Sequence, residues 1–472
     1  MDFGFKLLTR GGSIKMLLWI VLTASAVSQA QQAPQPRGSL TIVQAVEAAL
    51  RNYPSIQVSQ EEINAAAAAI QQARTAYLPR LDVLAQANRA TRNNVFGLML
   101  PQSVIPSISG PVLGTNNLGT SWGSAAGGLV SWEPFDFGLR KASVAAAAAE
   151  QQHAQATLRR TQYDVAVASA DSFVSLVAAQ ETVEAAQAGV DRAQTVLQTI
   201  TGLVNAELRS GADASRAQAE LAAARTLTIQ ASQAVEIARA NLGRFIGMDV
   251  ARSTTSAARL LELPPGQPPA PMDAARNPLA AEQSAAIEQL RAQLRTLERT
   301  YFPRFFLQGS AYARGTGAEL NGSRLGGLNG LAPNFQDYAL GLTVTFPVMD
   351  RASIRAREAE QSATVRAETA RYRQIATDLT AQWNAAVAAL NGARQVAANT
   401  PIQIVAARAA ATQAGARYQS GLGNIDEVAE AQRLLTQAEI DDALARLGVW
   451  RALLGVATAA GDIQPFLVEA SQ

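Results

Sequence analysis

From Val428 to Ala459 the small and apolar side chains return in alternating steps of four and three: Val428, Ala431, Leu435, Ala438, Ala445, Val449, Ala452, Val456 and Ala459. Asp442 is the one polar exception in this row. A period of 3.5 residues is that of a helix packed in a coiled coil. A second stripe, Ile440, Leu444, Leu447 and Leu454, sits two positions from the first, roughly 200° around the helix at about 100° per residue. Apolar seams on opposite flanks predict a neighbour on each side, as in a wall or tube, although a helical bundle also satisfies them. Upstream, Leu139 to about Glu207 and Ala352 to about Tyr418 are long runs of Ala, Gln, Glu, Arg and Leu. These are strong helix formers, and at 1.5 Å per residue each run reaches ~100 Å. Pro401 is expected to bend the second of them near Asn399, because it removes an N–H donor and crowds the preceding turn. The shorter helices, about Pro54 to Tyr77 and Asp213 to Gly247, together give ~90 Å and fit end to end beside one long helix.

Elsewhere the period changes to two. Tyr338, Leu340, Leu342, Val344 and Phe346 alternate with Ala339, Gly341, Thr343 and Thr345, with the length and period of a transmembrane strand. Arg304 to Gly315 reads as its partner, with Phe305, Leu307, Ala311 and Ala313 on one face. The counterparts in the first half are Leu81 to about Ala90 and Trp122 to Pro134, with Trp122 and Trp132 placed as interfacial aromatics. The Gly, Asn, Pro and Ser-rich stretches Asn93 to Gly119 and Thr316 to Asp337 read as loops. Four strands cannot close a barrel, and lipid does not tolerate unpaired edges, so several chains must share one.

The two patterns occur twice. Asp136 to Gly247 aligns with Asp350 to Gly461 at a constant offset of 214, and the upstream pairs, Pro54 with Pro278 and Tyr77-Leu-Pro-Arg80 with Tyr301-Phe-Pro-Arg304, keep an offset of 224. We therefore expect repeats over 54–247 and 278–461, joined by a Pro-rich linker at 248–277. A segment at 31–53 precedes them and a tail at 462–472 follows. In each repeat a long helix stops and another begins. The second such tip, Tyr418 to Gln432, has Gly421 and Gly423 as helix breakers and Asp426, Glu427 and Glu430 at the next helix start, where carboxylates complement exposed N–H groups. The first tip has Gly211 and Asp213.

Composition sharpens the picture at four points. Lys6, Arg10 and Lys15, the apolar run Met16 to Ala26 and the small residues around Ala30 have the layout of a secretory signal at 1–30. No other stretch reads as a spanning helix. Without those residues the chain carries 37 charges of each sign, and no basic cluster interleaves with aromatics, so nothing argues for a nucleic-acid partner. There is no cysteine, which removes disulfides, thiolate sites and an N-terminal lipid-modified Cys. Finally, the only histidine, His153, lies in the polar helical stretch Glu150-Gln-Gln-His153, and Gly326, Gly327 and Gly330 lack the Lys-Ser or Lys-Thr of a phosphate loop. No catalytic constellation, metal site or cofactor is expected.

With Tyr-Leu-Pro-Arg before the first strand pair, Pro134-Phe-Asp-Phe-Gly-Leu-Arg140 at its exit, and Tyr418-Gln-Ser-Gly421 and Glu427-Val-Ala-Glu-Ala-Gln432 at the second tip, the chain resembles the TolC-like outer-membrane factors. The resemblance spans nearly the whole chain. It implies a mainly α fold with a membrane β-barrel portion, in which a homotrimer shares a twelve-stranded barrel in outer-membrane lipid and its helices form an α-barrel across the periplasm. The tips become an iris opened by a periplasmic adaptor protein and an inner-membrane transporter. The family's gate positions fall on Tyr418, Glu427, Glu430 and Asp213, and its adaptor-docking tip on Ser420, Gly421, Gly423 and Gly211. Two departures stand out: Gly423 occupies the place of a basic residue, and Glu207 that of the first tip's glycine. A periplasmic coiled-coil scaffold is the rival reading, but it leaves the four paired strands unexplained.

Overall fold

A computed structural model describes residues 39–91, 120–266, 269, 271–317, 319, 323–333 and 335–471. The expected signal and the expected loop at 93–119 lie outside the described residues, the loop's last residues included. The chain order is α1 (Ile42–Asn52), α2 (Pro54–Thr75), β1 (Arg80–Thr91), β2 (Thr120–Phe135), α3 (Leu139–Asn205) and α4 (Gly211–Ile246). Then come the short α5 (Met248–Ala251), two 3-10 turns, α6 (Pro278–Arg299), β3 (Arg304–Thr316), β4 (Phe335–Thr345), α7 (Arg351–Gln419), α8 (Ile425–Ala460) and α9 (Gln464–Ser471). Helix, two strands, long helix and shorter helix thus occur twice. Strand β4 begins earlier than the alternation suggested and stops at Thr345, just before Pro347, which cannot donate to a ladder. Pro401 lies inside α7, which continues through it as one helix of 69 residues.

The four strands form one antiparallel sheet in the order β1-β2-β3-β4. Its register puts Val83, Gly128, Ala311 and Tyr338 in one row across the sheet, and Leu81, Val130, Gly309 and Leu340 in the next. This face is apolar and outward: Tyr338 and Leu340 are 89% and 78% exposed. The opposite face carries Gln308 and Ser310, both buried, and the ion pair of Arg314 with Asp337 at 3.2 Å. Within the chain β1 and β4 are edge strands, each paired on one side only.

Polar contacts tie the sheet to the helices. The Asp136 carboxylate accepts from the Gly138 N–H at 3.1 Å, the Arg140 N–H at 2.7 Å and the Arg140 Nε at 2.8 Å. Burial raises the Asp136 pKa, but these donors outweigh it and hold the carboxyl below its ordinary value. Arg140 in turn lies 4.7 Å over the Tyr77 ring and donates to the Ala76 carbonyl, which gives the tyrosine of the Tyr-Leu-Pro-Arg motif its role at the sheet entrance. In the second half the Tyr301 hydroxyl donates to Glu358 at 2.7 Å.

The coiled-coil stripe of α8 faces α7: Ala445, Val449 and Val456 meet Leu390 and Ala397, while Ala431, Leu435 and Ala438 meet Ala407 and Ala411. On its other flank Leu447, Trp450 and Leu454 join Phe173, Leu176 and Val177 of α3 in the largest core. Leu444 departs from the second stripe and is exposed. An 18-residue window of α8 is apolar enough, at a mean hydropathy of 1.3, to cross a bilayer. Its two packed flanks explain that composition, since a helix inside a wall buries two seams.

The large core is closed by α1, α5, the first 3-10 turn and α9, with Leu260, Phe466 and Ile42 almost fully buried. Helix α1 was missed in the sequence, although Thr41 and Gln44 form a capping box that announces it. The linker is also more than a spacer, because its Glu262 carbonyl accepts the Trp450 indole N–H at 2.7 Å.

The polar exception Asp442 is buried against α7, accepting from the Thr400 hydroxyl at 2.7 Å and from the Arg446 guanidinium. It clasps the two helices beside Pro401. Asp442→Ala leaves Thr400 without its acceptor, and we expect a loss of about 1.5–3 kcal/mol, read as a lower denaturant midpoint by circular dichroism.

Candidate functional site: the paired helical tips

Both helix hairpins turn in the same way. At the second tip the Leu422 N–H donates to the Arg417 carbonyl at 2.8 Å and the Gly421 N–H to that of Tyr418 at 3.1 Å. At the first, the Leu208 N–H donates to the Leu203 carbonyl and the Glu207 N–H to that of Val204, both at 2.9 Å. This is the Schellman pattern, which needs a left-handed residue just past the helix. Gly421 takes it at φ +81° and Glu207 at φ +59°. Glu207 therefore does the backbone work of a glycine with a side chain attached, at a cost of about 1–2 kcal/mol. Glu207→Gly should stabilise this tip by about 1 kcal/mol, measured as slower amide exchange of residues 203–209.

Gly423 has a different reason for being glycine. A Cβ there would sit 3.2 Å from Arg417 Cβ and 3.1 Å from the Glu427 carboxylate. Gly211 opens α4 with free space around it. Asn424, unnoticed in the sequence, caps α8 by accepting the Glu427 N–H at 2.9 Å.

The tips are joined by a buried clasp. Tyr418 is 3% exposed and packs with Ile200, Ala217, Ile425 and Val428. Its hydroxyl donates to Asp213 Oδ2 at 2.7 Å, while Ser210 donates to Oδ1 of the same carboxylate at 2.9 Å. Arg209 stacks 4.3 Å over the Tyr418 ring and donates to the Tyr418 carbonyl. Burial, and then the hydrogen bond to Asp213, push the Tyr418 phenol up to about 12. A raised pKa means a contribution fully present below the ordinary value near 10 and lost as pH rises through 12, so the tyrosine keeps its proton at physiological pH.

A second set of contacts is exposed. Arg216 meets Asp426 at 3.3 Å and Arg433 meets Glu220 at 3.4 Å, both linking α4 to α8. Arg417 lies 3.6 Å from Glu427 and Arg433 3.4 Å from Glu430. Such surface pairs contribute about 0–1 kcal/mol each, less than the buried clasp. The structure thus brings Tyr418 and Asp213 together and places Glu427 and Glu430 outside the clasp, each beside an arginine. The basic partners that Gly423 cannot provide come from Arg209, Arg216, Arg417 and Arg433. Their residue type was visible in the sequence, but the pairings of Arg209 with Tyr418, Arg216 with Asp426 and Arg433 with Glu220, each across more than 200 residues, were not.

Beyond the clasp, Leu208 and Leu422 occupy matching places and are 69% and 72% exposed at the two turns. His153 lies on α3, and among the described residues no group of His, Asp and Glu is arranged to hold a metal.

Comparison with known proteins bears on the fold as a whole. The family model described as "Outer membrane efflux protein" matches residues 45–248 and 272–462. The outer-membrane channel OprN is 21% identical, with 89% of each chain covered and a TM-score of 0.68. The Campylobacter jejuni CmeC outer membrane channel is 15% identical, covering 89% of this chain and 85% of that one, with a TM-score of 0.70. The open state of the Neisseria gonorrhoeae MtrE outer membrane channel is 19% identical, with 89% of each covered and a TM-score of 0.66. A search of curated proteins finds no significant match. The match over both repeats, together with a channel fold along nearly the whole chain, settles the family: this chain belongs to the outer membrane efflux proteins.

Proposed function

We propose that the protein is a passive, trimeric exit duct of a tripartite efflux pump or type I secretion system, gated at its periplasmic tips. The observation that carries this reading is the sheet. It turns an apolar face outward, yet leaves β1 and β4 each paired on one side only. In hydrocarbon an open edge strands N–H and C=O groups with no partner, so β4 of one copy must pair with β1 of the next. Three copies make twelve strands. The helices then stand side by side as a tube of roughly 100 Å, long enough to reach a partner in the periplasm. The duct has no energy source of its own, so an inner-membrane transporter supplies the work and a periplasmic adaptor engages the tips.

In this reading Tyr418 and Asp213 hold the gate, Glu427 and Glu430 line its mouth, and Ser420, Gly421, Gly423 and Gly211 form the docking turn. Three-fold symmetry converts Glu427 and Glu430 into acidic rings that favour cations. Their neighbouring arginines temper the effect, so the E427Q/E430Q pair should lower cation over anion selectivity by a few fold without abolishing current, as read from reversal potentials in a salt gradient. A photo-crosslinker at Ser420 should capture the adaptor in cells. A particle mass other than three chains, or no adaptor captured from any tip position, overturns the proposal.

A further inference from the structure

Resting on the reading of the chain as an outer-membrane duct, we infer that the junction between sheet and helices binds the anionic headgroups of phospholipids in the periplasmic leaflet. The outward stripe of β4, Leu340, Leu342 and Val344, continues past the strand through Phe346, Val348 and Met349, the last 91% exposed. The lipid-facing surface therefore runs to the first turn of α7, where Arg351 and Arg355 stand exposed one helical turn apart.

The first repeat does the same with different residues. Phe135 is exposed at the end of β2, and Lys141 is exposed in the first turn of α3. At the offset of 214, Asp136 matches Asp350 and Lys141 matches Arg355. A cation thus stands five places after the aspartate at both exits of the sheet, next to exposed apolar side chains.

Among the described residues no carboxylate pairs with these cations. Lys141, Arg351 and Arg355 belong to no ion pair within 4 Å among them; Arg355 meets only the Tyr301 hydroxyl, which itself donates to Glu358. They do not favour the helices that carry them either, since a helix start prefers negative charge and neither α3 nor α7 has an acidic residue in its first turn.

Depth supplies the missing partner. Phe135, Phe137 and Phe302 form a ring cluster at this level, with centroids 4.6 and 5.4 Å apart, as aromatic belts do at a bilayer boundary. Just outside that belt the available anion is a lipid phosphate. Arginine and lysine reach it by extending their stems along apolar surface and placing their charge among the headgroups.

The test uses the full protein reconstituted in vesicles of phosphatidylethanolamine with a minor share of phosphatidylglycerol, recovered in mild detergent, with bound lipid quantified by class. Wild type should carry phosphatidylglycerol enriched several-fold over the vesicle composition, and K141Q/R351Q/R355Q should carry the bulk composition. R366Q/R373Q, farther along α7, should keep the wild-type enrichment. The inference is overturned if wild type inserts and conducts but binds lipid at bulk composition, or if the triple variant keeps the enrichment. Wild type that neither inserts nor conducts would overturn the duct reading instead, and this assignment with it.

Discussion

Leu340→Arg should remove the protein from the outer membrane. Leu340 is at the middle of β4, 78% exposed, on the face it shares with Val130, Leu342 and Tyr338. A lipid-facing arginine at the bilayer midplane costs roughly 2–4 kcal/mol, and a trimer incurs it three times, for roughly 6–12 kcal/mol per particle. That exceeds what a marginally stable assembly can absorb. Thr343→Arg places the same charge on the same strand but on the opposite face, and should be tolerated. Fractionation of cells expressing each variant separates the outcomes: L340R absent from the outer-membrane fraction, T343R present. Equal recovery of both would mean that the apolar face of this sheet does not meet lipid.

Tyr418→Phe should open the resting channel. The substitution keeps the ring that Arg209 covers and the packing against Ile200 and Ile425, and removes only the hydroxyl that donates to Asp213. A hydrogen bond to a charged group contributes about 1.5–3 kcal/mol, or roughly a 10-fold to 100-fold shift in a two-state equilibrium for each chain. In the proposed trimer three clasps would act together. Arg216→Gln, which breaks only an exposed pair with Asp426, should change the current little. A current equally insensitive to both changes would place the gate elsewhere.

Much of this architecture was legible because its periods are pure. The four-three steps from Val428 to Ala459 dictate a helix with a seam, and the alternation from Tyr338 to Val344 dictates a strand with an apolar face. The repeat then showed that each occurs twice. What stayed hidden depends on distance along the chain. The Tyr418 clasp joins residues more than 200 positions apart, and no local pattern marks Arg209 as the cation over that ring. Asp442 looked like a flaw in the heptad until its partner Thr400 was seen on α7. Pro401 does not end α7, whose helix continues on both sides of the lost donor while packed against α8. Capping signals at Thr41 and Asn424 were present and readable, and the backbone strain at Glu207 followed from its place opposite Gly421 in the repeat.

Single-channel recording separates a gated conduit through a membrane from a closed helical scaffold. Purified protein added to one side of a planar bilayer should produce discrete, uniform current steps of small amplitude. Y418F should produce more frequent or larger steps under the same conditions. A wild-type protein that assembles at the bilayer and passes no ion current, with Y418F equally silent, would contradict the account.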